Sequence, residues 1–285
     1  GDPKILSDFT PTGIRHIYVA AHIVRSSSGL GGISSNDLNT AIAQLNSAYS
    51  DVMIEFIHDQ TDYIDNDNYI YLTRNVFLSL SQINVIPWKL NIYFVPNGSI
   101  NGVAYLPGNR CAVINSAAIN GSTLAHEIGH NFYLYHTHSD AINPPNDCTP
   151  IRPLELVNGS NCTTAGDFLC DTPAEPFNCG SGILGYVYNN TCQYFGTFRD
   201  ANNQLYNPNT HNFMGYAPAN CRDSFTEQQI QKMNQTLVMV DPIKQENIAK
   251  WKYRQNIRFN TTSSGSAITE TVLDFPVMIH LTATN

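Results

Sequence analysis

His126-Glu127-Ile128-Gly129-His130-Asn131-Phe132-Tyr133-Leu134-Tyr135-His136 is the stretch that decides how this 285-residue chain is read. Ser122 or Thr123 begins a helix that runs through Leu124 and Ile128 to about Phe132. On such a helix His126 and His130 stand at i and i+4 and share a face, so both imidazoles can reach one ion. Glu127, one residue on, can point toward a water at that ion without ligating it. Zinc suits two imidazoles, and a catalytic zinc needs three protein ligands with one position left open. His136 is the candidate third ligand. A helix continued through it would swing its side chain roughly 600° about the axis from His130, off the ligand face. The chain must therefore turn back after His130 for the third ring to converge.

Upstream of this stretch, residues 14–24 are rich in β-branched and aromatic side chains and predict a strand. Gly29-Leu30-Gly31-Gly32 is a turn, after which Ser34 or Ser35 can cap a helix carrying Leu38, Ile42, Leu45 and Tyr49 at helical spacing. Residues 52–57 and 90–95 predict further strands. Short apolar runs at 103–106 and 111–114 flank Pro107-Gly108-Asn109. Strand, helix and strands in this order predict an α/β (α+β) fold with a sheet of mixed direction.

Downstream, residues 137–221 show almost no periodicity, and a loop tract that long is functional or cross-linked. Six of the seven cysteines (148, 162, 170, 179, 192 and 221) fall just there, among Asn, Gly and Pro. Their density predicts disulfide stapling in an oxidising compartment, hence a secreted protein. The absence of any C-x2-C pair argues against a cysteine-held zinc. Asn-x-Ser/Thr sequons at Asn97, Asn120, Asn158, Asn161, Asn189, Asn234 and Asn260 permit an extracellular address. Thr226 with Gln229 makes a capping box for a helix bearing Ile230, Met233 and Leu237. Beyond Asp241 alternation resumes, as in 272–281, and predicts a strand-like C-terminal extension.

Composition narrows the class. The chain is 42% apolar and 11% aromatic, as globular proteins are, but only 13% charged against the usual share of about 25%. A net charge of -8 without any basic run argues against nucleic acid as a partner. No apolar run approaches the roughly 18 residues a membrane span needs. The start, Gly1-Asp2-Pro3-Lys4, lacks the basic and apolar regions of an export signal and reads as a mature or trimmed form. The histidines at 16, 22, 58, 138, 211 and 280 are read as structural.

The spacing of His126, Glu127, His130 and His136 resembles the long zinc motif of the metzincins, H-E-x-x-H-x-x-G-x-x-H. His211-Asn212-Phe213-Met214-Gly215-Tyr216 resembles their Met-turn. With Gly166-Asp167-Phe168-Leu169-Cys170-Asp171-Thr172-Pro173-Ala174 and Ser224-Phe225-Thr226-Glu227-Gln228, the pattern is similar to the pappalysin (cytophagalysin) branch over about residues 101–237. The resemblance implies a metzincin-like fold: a mixed twisted sheet with the active-site helix above it, and a loop-rich, disulfide-stapled lower subdomain. Its divisions would be an upper subdomain over 1–136 and a lower one over 137–240 that carries the Met-turn, with 241–285 as the extension.

Carried over residue by residue, the resemblance implies zinc on His126, His130 and His136, and Glu127 as general base and acid. Met214 would form the floor beneath the metal, and the Tyr216 phenol would stabilise the oxyanion. It also implies interleaved disulfides, Cys148 with Cys192 and Cys179 with Cys221, which leaves Cys162 to pair with Cys170 and Cys111 as a buried thiol. Calcium in the lower subdomain would draw on Asp167, Asp171 and Glu175. Two positions depart from the pattern. Tyr133 stands where the family has a glycine in left-handed backbone, a conformation that costs a residue with a Cβ about 1–2 kcal/mol. Gly215 stands where an aspartate often follows the methionine.

The expected activity is zinc-dependent endopeptidase cleavage of protein or peptide substrates, with substrate added as a strand at the sheet edge near 102–107. The alternative is a catalytically impaired binding or adhesion domain on the same fold, favoured by Tyr133. A further alternative is a gluzincin whose third ligand is Glu155 or Glu175.

Overall fold

β1 (Arg15–Arg25) and β4 (Leu90–Val95) are nearly continuous runs of buried residues because both of their faces are covered. They lie inside the sheet of the computed structural model of the chain, which describes residues 13–239. The expected extension over 241–285 and His280 fall outside the described residues.

The five-stranded sheet has the order β2-β1-β4-β7-β6, where β2 is Ile54–Asp65, β6 is Gly102–Ala104 and β7 is Arg110–Ile114. β2, β1, β4 and β7 run parallel, and β6 pairs antiparallel with β7 at the edge. The sheet is thus mixed, as the order of elements predicts. β2 outruns the predicted 52–57 segment because its polar second half still pairs with β1, as far as Arg25 opposite Asp65. Backbone pairing there overrides a sequence that has lost its apolar pattern.

α1 (Ser35–Ala48) begins at Ser34, whose side chain accepts from the Asp37 N–H, and it buries Leu38, Ala41, Ile42 and Leu45. These residues meet Ile17, Val19, Phe56, Ile92 and Phe94 on one face of the sheet. The opposite face is covered by α2 (Arg74–Leu80), where Phe77 and Leu80 pack with Val24, Tyr93 and Val95. α2, capped by Thr73 and only seven residues long, carries too short a pattern to be read from the sequence. Between β2 and β4 lies also β3 (Tyr71–Leu72), which pairs in parallel with β5 (Asn97–Gly98).

α3 (Asn115–Ala118) leads into α4 (Thr123–Asn131), the predicted metal-site helix. Leu124, Ala125 and Ile128 of α4 join the core with Phe132 and Leu134. Asn131 Nδ2 donates to the Tyr105 and Arg110 carbonyls (2.9 and 3.0 Å) and ties the end of α4 to the β6–β7 hairpin.

After His136 regular structure is sparse: β8 (Ala141–Asn143), β9 (Asp147–Pro150), a 3-10 turn at Asn178–Gly180 and finally α5 (Glu227–Met239). The capping box is present, with Gln229 N–H donating to Thr226 Oγ1 (3.3 Å) and Thr226 N–H to Gln229 Oε1 (3.0 Å). Met233 and Leu237 carry α5 into the main core.

The interleaved disulfide expectation is overturned. The bonds are Cys148–Cys179, Cys162–Cys170 and Cys192–Cys221, with Cys111 a buried free thiol. β8 and β9 form a hairpin, and the turn bearing Cys179 lies on it. A Cβ on Gly180 would stand 2.5 Å from the Ala141 nitrogen, so glycine allows that approach. Cys192 sits in a tight turn closed by its N–H on the Tyr188 carbonyl (2.8 Å), beside Asn220, which donates to the Asn189 carbonyl (2.7 Å). Only the 162–170 pair and the lone Cys111 match the expectation.

Candidate active site

The three predicted ligands meet. His136 Nε2 lies 3.2 Å from His126 Nε2 and 3.0 Å from His130 Nε2. His126 and His130 come from one face of α4, and His136 comes from the chain after the helix has turned back.

That turn is where Tyr133 matters. The Tyr133 N–H donates to the His130 carbonyl (2.9 Å) and the Leu134 N–H to the Gly129 carbonyl (3.0 Å), the paired bonds of a Schellman ending. The motif puts its first residue past the cap in left-handed backbone, and Tyr133 adopts it with φ 72. The ring that replaces the family glycine is packed, with Lys232 Nζ 4.9 Å from its centroid and the Tyr135 ring at 5.7 Å. Tyr133 thus bears the backbone cost while His136 still reaches the other two rings.

Each imidazole is aimed by its outer nitrogen. His126 Nδ1 donates to the Phe213 carbonyl (2.7 Å), His130 Nδ1 to the Leu134 carbonyl (2.7 Å) and His136 Nδ1 to Asp140 Oδ1 (2.6 Å). Carbonyl and carboxylate oxygens only accept, so the proton of each ring is on Nδ1 and each Nε2 presents a lone pair. Burial, reinforced by the neighbouring rings, holds all three histidines below their ordinary pKa, His130 at about 3. They are neutral at pH 7. The His136 lone pair, 3.2 and 3.0 Å from the other two nitrogens, repels theirs unless a cation lies between them. Ligands 2.0–2.1 Å from a tetrahedral zinc lie roughly 3.3 Å apart, so the donor set and its spacing fit the ion.

The supports of the third ring were not visible in the sequence. Asp140 Oδ2 faces Arg152 Nη1 at 3.3 Å. Arg152, itself buried, also donates to the carbonyls of Gly166 (2.7 Å), His138 (2.6 Å) and His136 (3.4 Å). Burial alone would raise the Asp140 pKa. The hydrogen bond from His136 and the nearby positive charges overcome it and hold the carboxyl well below its usual range. The i+4 spacing of Asp140 from His136 was the available signal. His138, read as structural, is fully buried and stacks on His136 at 5.0 Å with 3° between planes.

Glu127 is buried beside β6, and the reason for glycine at 102 is steric. A Cβ there would lie 2.5 Å from Glu127 Oε1. Burial pushes the Glu127 carboxyl up to about 8, with Arg222 and Arg74 pulling the other way. Tyr216 Oη lies 3.2 Å from His136 Nε2, so the phenol is directed at the same point as the three rings.

Met214 is fully buried beneath α4, where a Cβ on Gly129 would meet its sulfur at 2.5 Å. Its turn is built by Asn212, whose Oδ1 accepts from the Met214 N–H (2.8 Å). The Asn212 and Gln229 side chains exchange hydrogen bonds at 2.9 and 3.1 Å and fasten the turn to α5. Beside Gly215, Glu175 supplies a carboxylate: a Cβ at 215 would stand 3.3 Å from Glu175 Oε2, which accepts from Thr137 Oγ1 (2.5 Å).

The residues expected to hold calcium do not cluster. Asp171 caps α5 through Thr226 Oγ1 (2.8 Å) and the Gln228 N–H (2.7 Å), while Asp167 accepts from the Leu169 N–H and Thr172 Oγ1. Among the described residues the groups able to hold a metal are His126 with His130 and His136, and His136 with His138 and Asp140. Neither includes Asp167, Asp171, Glu175 or Glu155.

No protein-family model matches the sequence. The chain is 26% identical over 241 residues to an extracellular metalloprotease of Sordaria macrospora, covering 76% of this chain and 73% of that protein. It is 31% identical over 169 residues to pappalysin-1 of Mus musculus, covering 53% of this chain and 9% of that much longer protein. The fold is similar to that of mature Tannerella forsythia mirolysin in complex with a cleaved peptide, with TM-score 0.52, 16% identity, and 82% and 95% of the two chains covered. The extracellular location expected from the cysteines agrees with the names of the fungal relatives. No helix among the described residues is long and apolar enough to cross a membrane. On these relationships the chain is a zinc metalloendopeptidase, similar in sequence to extracellular metalloproteases and to pappalysin-1 and in fold to mirolysin.

Proposed function

We propose that the chain is a secreted endopeptidase whose zinc is held by His126, His130 and His136 and whose general base is Glu127. The observation that carries this reading is the convergence of three unprotonated Nε2 atoms, each ring steered by an acceptor at its Nδ1. Zinc, when bound, supplies the Lewis acidity that polarises a scissile carbonyl and acidifies water.

The protein's own groups do the rest. Glu127 takes a proton from the attacking water and returns it to the leaving amine, and its buried position suits a carboxylate that must hold that proton between the steps. Tyr216 donates its phenolic hydrogen to the oxyanion as it forms. Met214 packs beneath the ligand helix and fixes its height. The substrate lies extended along β6, whose outer edge near Gly102 is next to Glu127. In this reading the upper subdomain ends at His136 and the lower one, 137–240, brings Met214 and Tyr216 to it. The rival of an impaired binding domain loses its ground, since Tyr133 accommodates the left-handed turn. The finer calcium expectation finds no grouping of carboxylates to support it.

The test is zinc stoichiometry together with cleavage of casein, with and without chelator. Glu127→Ala should keep one zinc per chain and lose turnover. Casein cleavage that survives chelator, or that is unchanged in Glu127→Ala, would sink the assignment.

A further inference from the structure

Arg222 is a cation beside Glu127 in the candidate active site, yet no carboxylate among the described residues makes an ion pair with it. Its backbone is anchored, because Cys221 before it is bonded to Cys192 and Asp223 after it turns its carboxylate to His211 Nδ1 (3.2 Å). The guanidinium reaches α4, where Nη2 lies 3.4 Å from Thr123 Oγ1. Thr123 and Glu127 are four residues apart and share a helix face. The charge is accordingly felt at His126, Glu127 and Tyr216.

Arg152 shows what a structural arginine does in this same molecule: its N–H groups reach three carbonyls and a carboxylate. Arg222 has one long hydroxyl contact. Its Nε is buried and meets no acceptor, and none of the arginine and lysine ion pairs among the described residues involves it. A guanidinium does not escape burial by losing its proton, and although Glu127 attracts it electrostatically, no carboxylate makes an ion pair with it, so its N–H fork is left to take an acceptor from a partner. Arg74, exposed at the start of α2, adds a second positive charge felt at Glu127 and Tyr216. A planar fork of N–H donors fits a carboxylate in two-point contact.

We infer that Arg222 is a specificity-determining residue that takes the side-chain carboxylate of a substrate Asp or Glu adjoining the scissile bond, so that acidic peptides are preferred. This rests on the peptidase reading above and names its substrate class.

The experiment uses the zinc-loaded full chain and fluorogenic peptides in matched sets, with Glu, Gln or Lys at each of the two residues flanking a mapped cut. At one flanking position kcat/KM should favour Glu over Gln by roughly ten- to a hundredfold, mainly through KM. In Arg222→Ala the Glu:Gln ratio should fall to about one, in Arg222→Lys it should be partly kept, and in Arg222→Glu the Lys peptide should become the best of its set. The ratio is internal to each variant, so a partly folded preparation does not distort it. Equal cleavage of Glu and Gln peptides by the unaltered chain, or a ratio unmoved by Arg222→Ala, would overturn the inference alone. Cleavage of no peptide in any set would overturn the peptidase reading and this inference with it.

Discussion

Asp140 holds His136 by its Nδ1 at 2.6 Å while the other carboxylate oxygen faces Arg152 at 3.3 Å, so a buried guanidinium fixes the group that aims the third ring. His126 and His130 are aimed by backbone carbonyls that no substitution can remove. His136 alone depends on a side chain. Asp140→Ala should therefore weaken zinc binding by about 10–100-fold, the usual cost of losing such a partner, with Asp140→Asn milder because its amide oxygen still accepts. Competition against a chromogenic chelator measures this, and excess zinc should restore most of the lost turnover. Wild-type affinity in Asp140→Ala would show that packing alone orients the ring.

Tyr216 offers a cleaner separation of binding from chemistry. Its hydroxyl approaches the Nε2 of His136 without being one of the three nitrogens that meet there. Tyr216→Phe should keep the ring, the zinc stoichiometry and, within a few-fold, KM, while kcat falls by about 10²-fold, as expected on losing one oxyanion donor. A kcat within twofold of the unaltered chain would remove Tyr216 from the reaction.

At Tyr133 two opposing effects can be told apart by substitution. Left-handed backbone disfavours any Cβ by about 1–2 kcal/mol, whereas the ring gains from its contacts with Tyr135 and Lys232. Tyr133→Ala keeps the Cβ and loses the ring, and Tyr133→Gly loses both. The glycine variant should be the more stable of the two by about 1 kcal/mol, read from urea unfolding of the zinc-loaded forms. Equal stabilities would mean that the turn relaxes out of its left-handed geometry once the ring is gone.

Much of this site was legible because its chemistry follows local spacing. The i, i+4 pair on α4, the cap at Ser34 and the Thr226–Gln229 box are all set within one or two helical turns. The residues that escaped reading act across long stretches of chain. Arg152 reaches back to His136, Gln229 clasps Asn212, and Glu175 stands beside Gly215; none of these pairings has a sequence signature. The disulfides failed for the same reason, since connectivity depends on which loops lie against each other. β8–β9 meeting the turn at Cys179 is a packing fact rather than a spacing. The second half of β2 was missed because pairing with β1 sustains a strand that its own side chains do not encode.

Gly129, between the two helix histidines, sets local propensity against packing, and the magnitudes predict which prevails. Inside a helix, alanine is favoured over glycine by about 1 kcal/mol, so Gly129→Ala would stabilise α4 if nothing else touched it. The added Cβ, however, would stand 2.5 Å from the sulfur of Met214, which is fully buried, and 3.6 Å from Leu134 Cδ1. Overpacking of that kind costs about 1–3 kcal/mol, more than the propensity gain. The clash also pushes the turn bearing Phe213, whose carbonyl steers His126. Gly129→Ala should thus lower both the melting temperature and the zinc affinity, and a second substitution, Met214→Ala, should recover part of the stability by opening the space. If Gly129→Ala melted above the unaltered chain with its zinc affinity intact, Met214 would not be the rigid floor that its burial indicates.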